Sequence, residues 1–205
     1  RVLDLFLPGN PGINNSTDAS GGPTSTAFYS SNVTRPVRLP QSYFDGRQII
    51  DMWTSGSEEA WFHALDEHGQ LWAWGHNQHG ELGVGNRNGT YEYTHPTRVG
   101  INWNRYGGIK MYKTTHSNGG HSCTHILDGE GYMWFTGYTT SGAWPIGSPG
   151  YTDTHHIGSF RREGHFLNGD IDFFWCGGDE NKWLYIRQKT TGMLWVHDGN
   201  YGTYG

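Results

Sequence analysis

The sequence predicts an all-β protein: β-propeller-like repeats of about four-stranded antiparallel sheets, with about three blades in the chain. Three observations carry this expectation. A Trp-bearing strand followed by a sharp polar loop recurs at near-constant spacing. A strand-like run and a Gly-containing turn precede each full copy. The composition is rich in Gly and aromatics and poor in charge: 205 residues include 32 Gly, 10 Trp, 12 Tyr and 9 Phe, and 16% are charged, against about 25% in average globular chains.

The first, fainter copy is Leu5-Phe6-Leu7-Pro8-Gly9-Asn10. The next is Gly69-Gln70-Leu71-Trp72-Ala73-Trp74-Gly75-His76-Asn77, followed by Gly131 to Thr139 around Trp134 and by Gly192 to Asn200 around Trp195. The equivalent residues Phe6, Trp72, Trp134 and Trp195 lie 66, 62 and 61 residues apart. Ahead of the full copies stand the turns Asp66-Glu67-His68-Gly69, Asp128-Gly129-Glu130-Gly131 and Lys189-Thr190-Thr191-Gly192. Before each turn comes a strand-like run: 60–65, 122–127 and 182–187. Two such runs about a Gly turn read as a hairpin. A further apolar run opens each unit at 49–53, 109–112 and 171–175, and a Pro or His segment closes it, as in Thr34-Arg35-Pro36-Val37-Arg38-Leu39 and Thr94-His95-Pro96-Thr97-Arg98-Val99. The units fall at approximately 1–45 (partial), 46–107, 108–168 and 169–205 (partial), in a single repeat domain or segment. A four-stranded sheet of this size cannot bury both faces alone, whereas sheets stacked around an axis can.

The run Leu71 to Gly85 is the most specific stretch. It resembles the repeat signature of the regulator of chromosome condensation family through Trp74, Gly75, Asn77, Gly80, Leu82, Gly83 and Gly85, with Glu81 at the family's Gln position. The second unit keeps Gly137, Gly142 and Gly147 but has Thr136 for the motif Trp, and the third has His197 and Asp198 in place of Trp and Gly. The family's His in the preceding strand is replaced by Trp61, Cys123 and Leu184. The resemblance implies a propeller, commonly of seven blades, in which Trp72, Trp134 and Trp195 hold like places. With about three periods, the propeller is expected to be partial or completed by other segments.

Chemistry is sparse. A net charge of -5 with 14 Lys and Arg argues against a nucleic-acid surface, which needs clustered cations. No apolar run approaches the roughly 18 residues of a membrane helix, so no membrane insertion is expected. Arg1 to Phe6 does not read as a secretory leader, and without an initiator Met the chain reads as a processed product or a segment. Cys123 and Cys176 are expected as reduced, packed thiols rather than a disulfide framework. His76 with His79, His116 with His121 and His125, and His155-His156 lack metal-site context. Asp128 with Glu130, and Asp179 with Glu180, sit where turn acids are commonplace. No nucleophile elbow or phosphate loop occurs. The sequons at Asn14, Asn15, Asn32 and Asn88 matter only in a eukaryotic secretory setting. No catalytic residue, metal or cofactor is therefore expected.

What remains is recognition. Tyr91, Tyr93, Trp103, Trp144, Tyr151, His155 and His156 stand in polar stretches as candidate contact residues, because aromatic faces give contact area at low entropic cost. The composition favours a non-catalytic virion or extracellular module, such as a bacteriophage tail fibre or receptor-binding component working with other chains of a larger assembly. Its target would be a host surface glycan or protein. The family resemblance implies the alternative, a cytoplasmic propeller scaffold or regulator of a protein such as a small GTPase.

Overall fold

The computed structural model describes residues 39–55, 60–85, 92–115, 122–138, 157–163, 166, 168–177 and 183–198. They form three antiparallel sheets. The first runs in the order β1 (Ile49–Thr54), β2 (Trp61–Asp66), β3 (Gln70–His76), β4 (Glu92–Asn102). The second repeats this order with β5 (Ile109–Thr115), β6 (Cys123–Asp128), β7 (Met133–Gly137) and β8 (Ile157–Arg162). The third has β9 (Ile171–Gly177), β10 (Trp183–Gln188) and β11 (Leu194–Asp198). Trp72, Trp134 and Trp195 thus sit in the third strand of their sheets, as the repeat spacing requires.

The sheets share local detail that the sequence dictates. Each central hairpin turns on a side chain that caps its own loop. Asp66 Oδ1 accepts the backbone N–H groups of His68 and Gln70, and its Oδ2 accepts Trp72 Nε1 at 3.1 Å. Asp128 does the same with Glu130, Tyr132 and Trp134 Nε1, the last at 2.8 Å. In the third sheet Gln188 takes this place and its Oε1 lies 3.4 Å from Trp195 Nε1. That turn is one residue longer: Gly192 N–H reaches back four residues to Gln188 O, whereas Gly69 and Gly131 reach back three, to Asp66 and Asp128. The added residue shifts the alignment, so the register places Trp183 opposite Asp198 as Trp61 and Cys123 stand opposite Gly75 and Gly137. Trp183, rather than Leu184, is the equivalent position. A bulge recurs where the first strand of each sheet begins, at Ile49/Asp51, at Ile109/Met111 and opposite Arg187/Gln188.

β6 shows no alternation, because all six of its residues are buried. It is central in a sheet covered on both faces. One interlayer core joins Trp61, Leu65, Leu71, Ala73, Leu82, Val99 and Trp103 to Ile126, Trp134 and Phe160. The other joins Leu127 and Met133 to Phe166, Ile171, Phe174, Cys176, Leu184 and Ile186. The first and third sheets therefore lie on opposite faces of the second.

A 3-10 turn leads into each of the first two sheets. Gln41–Phe44 sets the Phe44 ring edge-on against Trp72 and Trp74. Trp103–Tyr106, capped by Asn102 Oδ1 accepting Asn104 N–H, sets Trp103 and Tyr106 against Trp134. Trp103, expected as an exposed contact residue, is instead 0% exposed and is wedged between two sheets. Its ring fills interlayer space that no smaller side chain would close. Pro96 lies in β4, the outer strand of its sheet, where a missing N–H is tolerated.

Candidate interaction surface

The signature loop after β3 is spent on joining sheets. His76 Nδ1 meets Glu81 Oε1 at 2.7 Å, and the other carboxylate oxygen accepts His79 N–H at 2.7 Å. Asn77 Oδ1 accepts Leu82 N–H at 3.1 Å, which folds the loop back on its own start. The loop then hands its carbonyls to neighbours. Thr124 Oγ1 donates to Glu81 O at 2.9 Å, and Trp61 Nε1 donates to Thr124 Oγ1 at 2.9 Å. Thr136 Oγ1 lies 2.7 Å from Gly80 O and 2.6 Å from Ile157 O. Beyond the loop, Val84 bridges antiparallel to Ser159 of β8, and Gly85 N–H donates to Gly158 O at 2.7 Å. Gly80 is required: its φ is +87°, and a Cβ there would stand 2.6 Å from Ile157 O and 2.8 Å from Gly158 Cα. Gly75 is required likewise, with φ +98° and Ala60 O at 2.5 Å.

Under this loop lies a histidine used for structure. His63 Nε2 is 3.1 Å from Leu82 O, an acceptor, so Nε2 carries the proton. Nδ1 then accepts from the Tyr112 hydroxyl at 2.8 Å. Burial lowers His63 to about 4, against the opposing bond to the Leu82 carbonyl, and it is neutral at physiological pH. His125 occupies the same place in β6. The 62-residue separation of this pair, equal to that of Trp72 and Trp134, was the available signal.

Of the other sequence-predicted contact residues, Tyr93 is half-buried in β4, opposite Gly75, and packs against two core clusters. Tyr91, Trp144, Tyr151, His155 and His156 lie outside the described residues, as do Asp179, Glu180, His116, His121 and the four sequons. The structural set Trp72, Trp74, Gly75, Asn77, Gly80, Leu82, Gly83, Gly85, Trp134, Gly137 and Trp195 is described throughout. Cys123 and Cys176 are buried and unbridged, and burial pushes the Cys176 thiol up to about 12. Among the described residues, no three His, Cys, Asp or Glu side chains converge as a metal site requires. None of the described helices is long and apolar enough to cross a membrane.

The exposed surface that sequence reasoning missed is on the third sheet. Phe173, Trp175, Tyr185, Leu194 and Val196 are between 38% and 70% exposed. Single strands gave no hint of it, because the same alternation is buried in the other two sheets.

Residues 68–125 match the family model described as the regulator of chromosome condensation (RCC1) repeat. The match straddles two sheets, from the turn before β3 into the first half of β6, and so contains the joining loop. No curated protein matches the chain. Among solved structures, yeast RCC1 (Prp20) bound to Kap60 is similar at a TM-score of 0.57 and 19% identity, covering 85% of this chain and 36% of that one. Human WBSCR16 gives a TM-score of 0.49 at 17% identity over 78% of this chain and 36% of that one. Prp20p from Saccharomyces cerevisiae gives 0.49 at 16% identity over 98% and 39%. This chain spans under two fifths of the length of each. The 0.57 match and the strand order together establish the β-propeller fold. Residues 68–125 thus match a regulator of chromosome condensation repeat, with like sheets on either side of its junction, in a chain of β-propeller fold.

Proposed function

We propose that this chain is a non-catalytic recognition module whose partner is a protein. The observation that carries the reading is the repeat itself. Its polar signature, from His76 to Gly85, is turned inward to join sheets, which leaves strand edges and connecting loops as the working surface. Propellers of this construction suit broad, shallow contacts rather than enclosed chemistry. One solved neighbour is described as bound to Kap60, which supports a protein partner over a glycan. On that ground the protein-binding reading takes precedence over host attachment. The formal charge of -5 favours a partner with a basic contact face.

The test is capture on the immobilised chain followed by cross-linking mass spectrometry, with a glycan array run in parallel. The reading expects one enriched protein, cross-linked through loops or strand edges, and an empty array. A saturable glycan signal without a protein partner would overturn it. Nucleotide release from a captured small GTPase would then define the regulatory form of the reading.

A further inference from the structure

The first two sheets each lay an arginine over the same tryptophan. Arg98 of β4 pairs with Trp72 of β3, and Arg162 of β8 with Trp134 of β7. The guanidinium carbon stands 5.2 Å from the ring centre for Arg98 and 4.8 Å for Arg162. The two sheets differ in what meets the cation. Arg98 donates from Nη2 to the carboxylate of Asp45, the left-handed residue that ends the 3-10 turn Gln41–Phe44. In the second sheet that place belongs to Gly107, which ends Trp103–Tyr106 in the same left-handed conformation. Backbone bonds fix the equivalence. Gly46 N–H reaches Gln41 O, and Gly108 N–H reaches Trp103 O, five residues back in both cases. The second sheet therefore keeps the arginine and lacks the acid.

Arg162 is nonetheless held in place. Its guanidinium carbon stands 5.0 Å from the centre of the Tyr106 ring and 4.1 Å from that of Tyr132. The first sheet has Phe44 and Gln70 at those places. Three rings orient the cation without consuming its N–H donors. Arg162 is exposed, and among the described residues no carboxylate pairs with it. Glu163 spends Oε2 on Phe166 N–H at 2.9 Å. Glu130, on the turn whose N–H meets Tyr106 O, makes no ion pair with Arg162. Gly107 is itself closely packed: a Cβ there would stand 3.2 Å from Gly129 Cα, so an Asp would need that turn to shift.

We infer that Arg162 docks a carboxylate side chain of a protein partner, an Asp or Glu seated as Asp45 sits on Arg98. The ligand chemistry is taken from the molecule's own first sheet, where the same arginine over the same tryptophan receives a carboxylate. The inference deepens the protein-partner reading and rests on it for the source of the acid. Arg105, exposed beside Tyr106, adds a second cation. The site is thus a basic spot on a chain of net charge -5, and it selects an acidic residue within a contact face that is otherwise basic. One exposed ion pair is weak, so this contact sets register within a wider interface, and the rings reduce the entropy lost in ordering the arginine.

Nuclear magnetic resonance titration of the isotope-labelled chain with the peptide acetyl-Gly-Glu-Gly-amide tests this without a partner in hand. The readouts are the arginine Nε–H and tryptophan indole N–H signals. Those of Arg162 and Trp134 should shift together and saturate at millimolar peptide, while that of Arg98 stays still. The same peptide with Gln in place of Glu should move neither. Asp45→Gly reproduces the second sheet in the first, and should make Arg98 respond to the Glu peptide. Arg162→Gln, at an exposed position, should abolish the Trp134 shift and leave the circular dichroism unchanged. No shift at Arg162 would overturn the proposal, as would an equal shift at Arg98 with Asp45 in place. So would acetate acting as strongly as the peptide at equal concentration, since the site would then take any small carboxylate. The two readings fail separately: an empty capture experiment overturns the protein-partner reading, and a silent Arg162 overturns this site.

Discussion

Glu81 and His63 hold charge and proton in a core that tolerates neither unpartnered. Glu81 is 0% exposed and meets two groups, His76 Nδ1 and His79 N–H. An amide can match both once His76 shifts its tautomer. Glu81→Gln, the family's usual residue, should therefore change stability by less than about 1 kcal/mol near neutrality. Glu81→Ala, which strands both donors, should cost about 2–4 kcal/mol in urea unfolding. His63 sets a pH dependence of definite sign. Its folded value of about 4 lies below the unfolded value of 6.5, so the unfolded chain binds the proton first. Its contribution is flat above about pH 7, falls as pH drops from 6.5 toward 4, and levels off below that, a loss on the order of 3 kcal/mol. Unfolding measured across that window should lose this slope in His63→Gln.

At the scale of the element, the hairpin turns separate buried from exposed use of one design. Asp128 is 0% exposed and accepts three N–H groups. Gln188 does the corresponding work at the surface, with Thr191 and Asp170 among its partners. Asp128→Ala should destabilise by about 3 kcal/mol or more, and Gln188→Ala by under about 1 kcal/mol, in the same denaturant titration. These elements were largely legible beforehand. The Trp strands, the Gly turns and the order of runs in each unit came from periodicity alone, because period and turn chemistry are local properties. The glycines and Asn77 of the joining loop were legible as a signature, but their purpose was not. Gly80 answers to Ile157 O and Thr136, residues distant in the chain. The site reading failed where burial decides. Trp103 looks like a loop aromatic in sequence, yet it packs edge-on against Trp134 and Phe160. The one-residue insertion in the third turn displaced the equivalence of Trp183 by a single position, an offset that only strand pairing exposes.

On the scale of the whole molecule, stability comes from sheets lying face to face with the repeat spanning each junction. The loop after β3 is the clasp of the first junction, and its last contact is the bridge between Val84 and Ser159. Such a bridge holds the two Cα atoms roughly 4.5–5.5 Å apart, within disulfide reach. The clasp should therefore accept a covalent link without strain, and closing so long a loop should stabilise the fold by roughly 4 kcal/mol. The native thiols do not compete, since Cys123 and Cys176 are both buried and the Cys176 thiol is pushed up to about 12. The decisive measurement is a thiol count in denaturant after mild oxidation of the Val84→Cys, Ser159→Cys protein. Adjacent sheets joined by this loop leave only the two native cysteines titratable and raise the thermal midpoint. Four titratable thiols in a protein that is otherwise folded would mean that the loop does not reach the second sheet, and the stacked-sheet account would be wrong.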